Sequence, residues 1–215
     1  MKTGRILAAI DFIIFITLIN YAKSIESPEY RVVLRLDSDT EIRLYKESLW
    51  VAALVKNSTS FEKTTKDGFH RVYQYIHGAN LNSSQMVITA PVLTTFSSAT
   101  GATDSYVKFY MPAKFQPMPP FPMPELNLNF ERWRAQCYAV RKFPGFAKDE
   151  GISKQIGALV AALNNDLSGV VQILDDRAYS FTIAQYNASS RLTGRLNEVW
   201  FNVSAFALEG CPSFR

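Results

Sequence analysis

His70 and His77 are the only histidines of the chain, and they are the first residues to test for chemistry. A helical metal pair places its histidines at i and i+4 on one face. These stand two turns apart, about 10 Å of rise, too far for one ion. At about 100° per residue, His70 lies roughly 125° and His77 roughly 105° from the centre of their segment's apolar stripe. Both are expected as solvated flank residues. No Gly-x-Ser-x-Gly elbow, His-Glu-x-x-His pair or phosphate-binding glycine loop occurs. Asp175-Asp176 sits in a turn-like setting and reads as solvated loop charge. Cys137 and Cys211 are the only cysteines, forming either one disulfide outside the cytosol or two small packed thiols. No catalytic group and no metal site is expected. What remains is an apolar surface edged by a cation. Phe69 and Tyr73 are expected on the inner face of a helix, with Lys66 about 90° from its stripe centre. Such a surface suits a flat hydrophobic ligand with a carboxylate tail. The plain alternative is core packing beside a snorkelling lysine.

The helix that positions these residues opens at Thr59-x-x-Glu62, a capping-box pattern. Phe61, Phe69, Val72, Tyr73 and Ile76 then recur at helical spacing, and Gly78 stands where a helix stops. Before it, Tyr30–Leu36, Glu41–Tyr45 and Leu49–Val55 alternate as strands. After it, Met86–Phe96 and Tyr106–Met111 do the same. A proline-rich connector, Pro112–Pro124, is expected to cross the surface as an extended linker. The second half repeats the order. A strand over Arg134–Phe143 precedes a helix opened by Asp149 and carrying Ile152, Ile156, Leu159, Val160 and Leu163. Strands at Val170–Leu174, Tyr179–Tyr186 and Glu198–Phe206 follow. Neither half has enough core to fold alone, so one α+β domain with pseudo-twofold halves is expected.

The amino terminus carries a short basic region, an apolar stretch from Ile6 to Ile19 interrupted by Asp11, and small residues Ala22 and Ser24. This is the layout of a cleaved secretory leader over residues 1–24, ahead of a domain at 25–215. The apolar run is shorter than the ~20 residues of a spanning helix. Asn57, Asn82, Asn187 and Asn202 each open an Asn-x-Ser/Thr glycosylation acceptor, in keeping with a secretory or extracellular location. Without the leader the net charge of +4 falls to +2, and no Lys/Arg run remains, so no nucleic-acid partner is expected.

Four strings then stand in order along the chain: Ile88-Thr-Ala-Pro-Val92, Phe109-Tyr-Met-Pro-Ala-Lys-Phe-Gln116, Tyr138-Ala-Val-Arg-Lys-Phe-Pro-Gly-Phe146 and Asn197-Glu-Val-Trp200. Each resembles a motif of the SOUL haem-binding family, and together they cover roughly residues 28–206. The resemblance implies a distorted antiparallel β-barrel of two similar halves, each with one long amphipathic helix. It also implies tetrapyrrole binding between the first helix and the loop before the closing strand. Lys66 and Arg191 match the basic positions thought to meet the propionates, and Phe69 and Tyr73 match the apolar helix positions. Some members carry a histidine, proposed as an iron ligand, where this chain has Leu44. Axial ligation by that route is absent here. Ala188 and Ser189 replace two prolines common in the family, and a glycan at Asn187 would stand beside the groove. The expected function is a non-catalytic haem or porphyrin carrier or buffer. The alternatives are an interaction or structural module that has lost the ligand, and a binder of lipid or another apolar molecule.

Overall fold

The computed structural model describes residues 25–58, 60–97, 104–166, 180–204 and 208–212. The expected leader, the expected strand at Val170–Leu174 and Asp175-Asp176 lie outside them. Nine strands form one antiparallel sheet: β1 (Tyr30–Arg35), β2 (Thr40–Tyr45), β3 (Ser48–Val55), β4 (Val92–Ser97), β5 (Ser105–Tyr110), β6 (Leu128–Trp133), β7 (Gln136–Pro144), β8 (Ser180–Gln185) and β9 (Leu196–Asn202). Their spatial order is β1-β2-β7-β9-β8-β4-β5-β3-β6. Two helices, α1 (Phe61–Ile76) and α2 (Asp149–Asp166), complete the described α+β fold.

Register places both helices on one face. Ala53, Val107, Thr94, Ile183 and Val199 stand directly opposite one another across β3, β5, β4, β8 and β9. Residues in register project to the same side. Val107 lies under α1, while Ile183 and Val199 pack with Leu159 and Leu163 of α2. The other face curls on itself as a half-barrel. Trp133 of β6 stacks on Tyr138 of β7 at 5.4 Å, although the two strands are distant in the sheet. Tyr45, Trp50, Leu93, Val140 and Trp200 fill the space between them. Both faces are therefore buried.

Helix starts are tied together. Ser60 caps α1 by accepting from Lys63 N, and its hydroxyl donates to Asp149 Oδ2 at 2.7 Å. Asp149 also accepts from Phe61 N, so the first residue of α2 satisfies an orphan N–H of α1. The cap is thus Ser60, one residue beyond the expected Thr59. At Gly68 the helix approaches β5 so closely that a Cβ would fall 2.3 Å from Val107 Cγ2.

Three strand expectations need correction. The strand expected from Met86 begins only at Val92, because Pro91, just before it, has no N–H for a ladder. The connector from Pro112 contains two 3-10 turns, Ala113–Phe115 and Pro124–Leu126. Directly after it comes β6, which was not expected; its Leu128-Asn-Phe-Glu-Arg-Trp133 segment pairs with β3. The strand expected from Arg134 is β7 and starts at Gln136.

Candidate ligand-binding site

Helix α1 is set on the sheet by small and polar contacts. Thr65 Oγ1 and Thr94 Oγ1 of β4 lie 2.7 Å apart, and Arg71 donates to the Leu54 carbonyl at 2.6 Å. Its buried residues are Phe61, Thr64, Gly68, Val72, Tyr75 and Ile76. Phe69 and Tyr73 are not on this inner face. Phe69 is half-buried, and Tyr73 is 44% exposed. The reason is Gly68. It adds nothing to an apolar stripe, yet it marks the line of closest approach, and Phe69 and Tyr73 lie about 100° and 140° around from it.

Their flank has a definite direction. Thr65 stands on the same side of the helix as Phe69 and touches β4, whereas Arg71 on the other side reaches β3. Phe69 and Tyr73 are therefore turned towards β4 and, beyond it, β8. Phe61 packs against Phe96 at 5.9 Å, so α1 runs from the Phe96 end of β4 towards the Val92 end. Val92 pairs with Gln185, the last residue of β8. The C-terminal half of α1 and the β8–β9 loop thus occupy the same end of the sheet. Phe69 and Tyr73 have ring centroids 6.1 Å apart, and His77 stacks on Tyr73 at 3.9 Å. Val87 and Ile88, both exposed, follow where Gln85 bridges to His77.

Lys66 is exposed and has no ion pair among the described residues. Arg191 is exposed in the β8–β9 loop, its Nε donating to the Thr193 carbonyl at 3.0 Å. No hydrogen bond or ion pair joins the two. The loop itself is organised by Arg195, a residue no motif singled out. Its Nη1 donates to the carbonyls of Ala188 and Arg191, both at 2.7 Å, and its guanidinium lies 4.4 Å from the Phe146 ring centre. His70 and His77 are both exposed. His70 Nε2 meets Gln74 Nε2, and His77 Nδ1 meets the Tyr73 carbonyl. Among the described residues, no group of three or more His, Cys, Asp or Glu could hold a metal ion. Leu44 is half-buried against the core under α2.

A second assembly lies on the concave face. Arg43 of β2 donates to Glu41 Oε1 at 2.7 Å, Glu198 Oε1 at 2.9 Å and Tyr45 Oη at 3.0 Å. Glu198 Oε2 also accepts from Tyr186 Oη and Trp200 Nε1, each at 2.7 Å. Burial alone would lower the Arg43 pKa, but Tyr45 and Glu198 outweigh it and hold the guanidinium firmly charged. Burial pushes the Tyr186 phenol well up, and the Glu198 charge adds to this. Glu41-Ile-Arg43-Leu-Tyr45 alternates like a solvent-facing edge, so this buried cluster was not foreseen.

Cys137 and Cys211 form a disulfide, with Cα atoms 5.8 Å apart. Asn57 and Asn82 are exposed. Asn187 is half-buried and accepts from Leu196 N at 2.7 Å. Asn202 is exposed, but its Nδ2 donates to Gln136 Oε1 at 2.9 Å. Among the described residues, no helix is long and apolar enough to cross a membrane.

The curled antiparallel sheet, with both helices on its outer face, carries the four family-like strings in order. The SOUL heme-binding protein family model matches residues 25–202, and the chain belongs to that family. Among curated relatives, "Heme-binding protein 2" of Homo sapiens is 29% identical over 163 residues, covering 74% of this chain and 76% of its own. "Heme-binding protein 1" of Xenopus laevis is 25% identical, covering 82% of this chain and 92% of its own. A solved hydrolase from Listeria innocua aligns with a TM-score of 0.46 at 8% identity, covering 79% of this chain and 92% of its own. That likeness is too weak to carry any chemistry across.

Proposed function

We propose that this chain is a non-catalytic tetrapyrrole-binding protein, a reversible carrier or buffer that holds haem or porphyrin against α1 without histidine ligation. The observation that carries this reading is the Phe69–Tyr73 flank, which stands out from the core towards β8 with the unpaired cation Lys66 on the same helix. The names of its relatives supply the ligand class. Affinity would come mainly from covering the macrocycle, at about 25 cal/mol per Å² of apolar surface. Lys66 and Arg191 would hold the propionates, together contributing about 1–3 kcal/mol at partly exposed sites.

Titration of the purified protein with haem and with metal-free porphyrin tests this. Both should bind with similar affinity, and His70→Ala with His77→Ala should change little. Lys66→Glu with Arg191→Glu should weaken binding about tenfold or more, since each ~1.4 kcal/mol is tenfold. A histidine-ligated haem spectrum lost on His70→Ala would overturn the reading. One observation favours an interaction module instead: neither of two cavities on the concave face is lined by Lys66, Phe69, Tyr73 or Arg191. Absence of any porphyrin binding would overturn the tetrapyrrole reading and promote that alternative.

The pseudo-twofold relation of the halves belongs to the same proposal, supported by one helix from each half on a shared face. So does a secretory location, supported by the leader-like amino terminus, the four acceptor sequences and the disulfide. Expression in a eukaryotic secretory host should yield a protein starting near residues 22–27 whose mass falls on N-glycosidase treatment. An unglycosylated product retaining Met1 would refute it.

A further inference from the structure

On the concave face, away from both helices, a cavity of about 330 Å³ opens between the end of β6 and the starts of β7 and β8. Its size is at the small end for ligand sites, which run from about 300 to 1,000 Å³. Its lining is polar and its charges do not cancel evenly. Lys108 Nζ lies 2.8 Å from Glu131 Oε2 and 2.9 Å from Oε1, and Trp133 Nε1 donates to the same carboxylate at 2.6 Å. Both oxygens of that carboxylate thus already face the Lys108 ammonium, which balances its charge. Arg132, also in the lining, pairs with Glu47 at 3.3 Å. Arg134 has no ion pair or hydrogen bond among the described residues, so it is the one uncompensated charge of the lining.

The neutral groups have unused donors. Thr95 Oγ1 and Thr182 Oγ1 are 2.8 Å apart; one hydrogen bond between them leaves the second hydroxyl hydrogen free. Gln136 accepts from Asn202 through Oε1, which leaves both hydrogens of its Nε2 free. A lone guanidinium beside hydroxyl and amide donors matches a small molecule with one carboxylate and several hydroxyls. An apolar ligand would leave those donors unmatched, and a polyanion would find only one free cation.

We infer that this cavity is a second binding site, for a small polyhydroxylated monocarboxylate of the hexuronate class. Arg134 takes the carboxylate, and Gln136 and the Thr95–Thr182 pair take the hydroxyls. The site is separate from the α1 surface and does not depend on tetrapyrrole binding. Calorimetric titration of the full disulfide-bonded chain with sodium glucuronate tests it, with glucose as the neutral comparison. Glucuronate should bind saturably at one site and more tightly than glucose. Arg134→Gln, which removes an exposed side chain without partners, should weaken glucuronate about tenfold, equivalent to ~1.4 kcal/mol, and leave glucose unchanged. Thr182→Val should weaken both sugars. Absence of saturable heat, equal affinity for glucose and glucuronate, or an Arg134→Gln protein with unchanged glucuronate affinity would each overturn the assignment.

Discussion

Arg43→Ala should lower the unfolding free energy by about 3–5 kcal/mol, the usual cost of leaving buried charges unpaired. Arg43, Glu41 and Glu198 are each no more than 3% exposed. Removing the guanidinium leaves two carboxylates in the half-barrel with Lys142 at 3.3 Å as the nearest remaining cation of Glu41 apart from the exposed Arg35. In thermal unfolding the loss should appear as a fall in Tm on the order of 10 °C for a chain of this size. Joint replacement of Glu41, Arg43 and Glu198 by apolar residues of similar volume should recover much of it, since no charge is then stranded. An Arg43→Ala protein as stable as the parent would reject the role given to this cluster. Acid should act on it as well. Burial alone would raise the Glu41 pKa, but hydrogen bonds and charge from Arg43 and Lys142 outweigh it and leave the carboxyl below its usual range. Its contribution is complete above the unfolded-state pKa and is lost as pH falls through the lower folded-state value.

Removing the disulfide should cost about 4 kcal/mol, the chain-entropy estimate for a loop of this length. The bridge spans a sequence separation of 74 and fastens residues 208–212 to the start of β7. That segment is held at few other points. Leu208 and Cys211 pack on the core under α2, and Gly210 accepts from Arg31 at 2.8 Å. Urea unfolding of Cys137→Ala/Cys211→Ala should show the loss, and reduction of the parent should reproduce it. Equal midpoints for the oxidised and reduced proteins would contradict this account.

Much of the architecture was readable because alternation and helical spacing are local signals. Both helices and most strands stand within a few residues of their expected places. β6 was missed although Leu128 and Phe130 alternate, since a six-residue strand directly after a proline-rich connector gives only a short periodic signal. The site was less readable. Lys66 was recognisable as a flank residue, but the true inner face of α1 depends on Gly68, which has no side chain to register as apolar. Arg43 and Glu198 were invisible for a different reason. A polar position on an alternating strand signals solvent only if that face of the sheet stays open, and the contact of Trp133 with Tyr138 closes it. Curling is a property of the assembled sheet, written in no single strand.

The interleaved strand order also bears on how the chain is made. β2 lies between β1 and β7, and Thr40 faces Arg141 across the second pairing, 101 residues later. On a ribosome adding about 5–20 residues per second, the β1–β2 hairpin waits on the order of 5–20 seconds for its partner. A two-stranded hairpin is marginal alone in water. The Glu41–Arg43 half of the buried cluster is synthesised before Glu198 exists. Until β9 arrives, those charges must remain hydrated, which keeps the nascent hairpin soluble and delays closure of the half-barrel until Glu198 has been made.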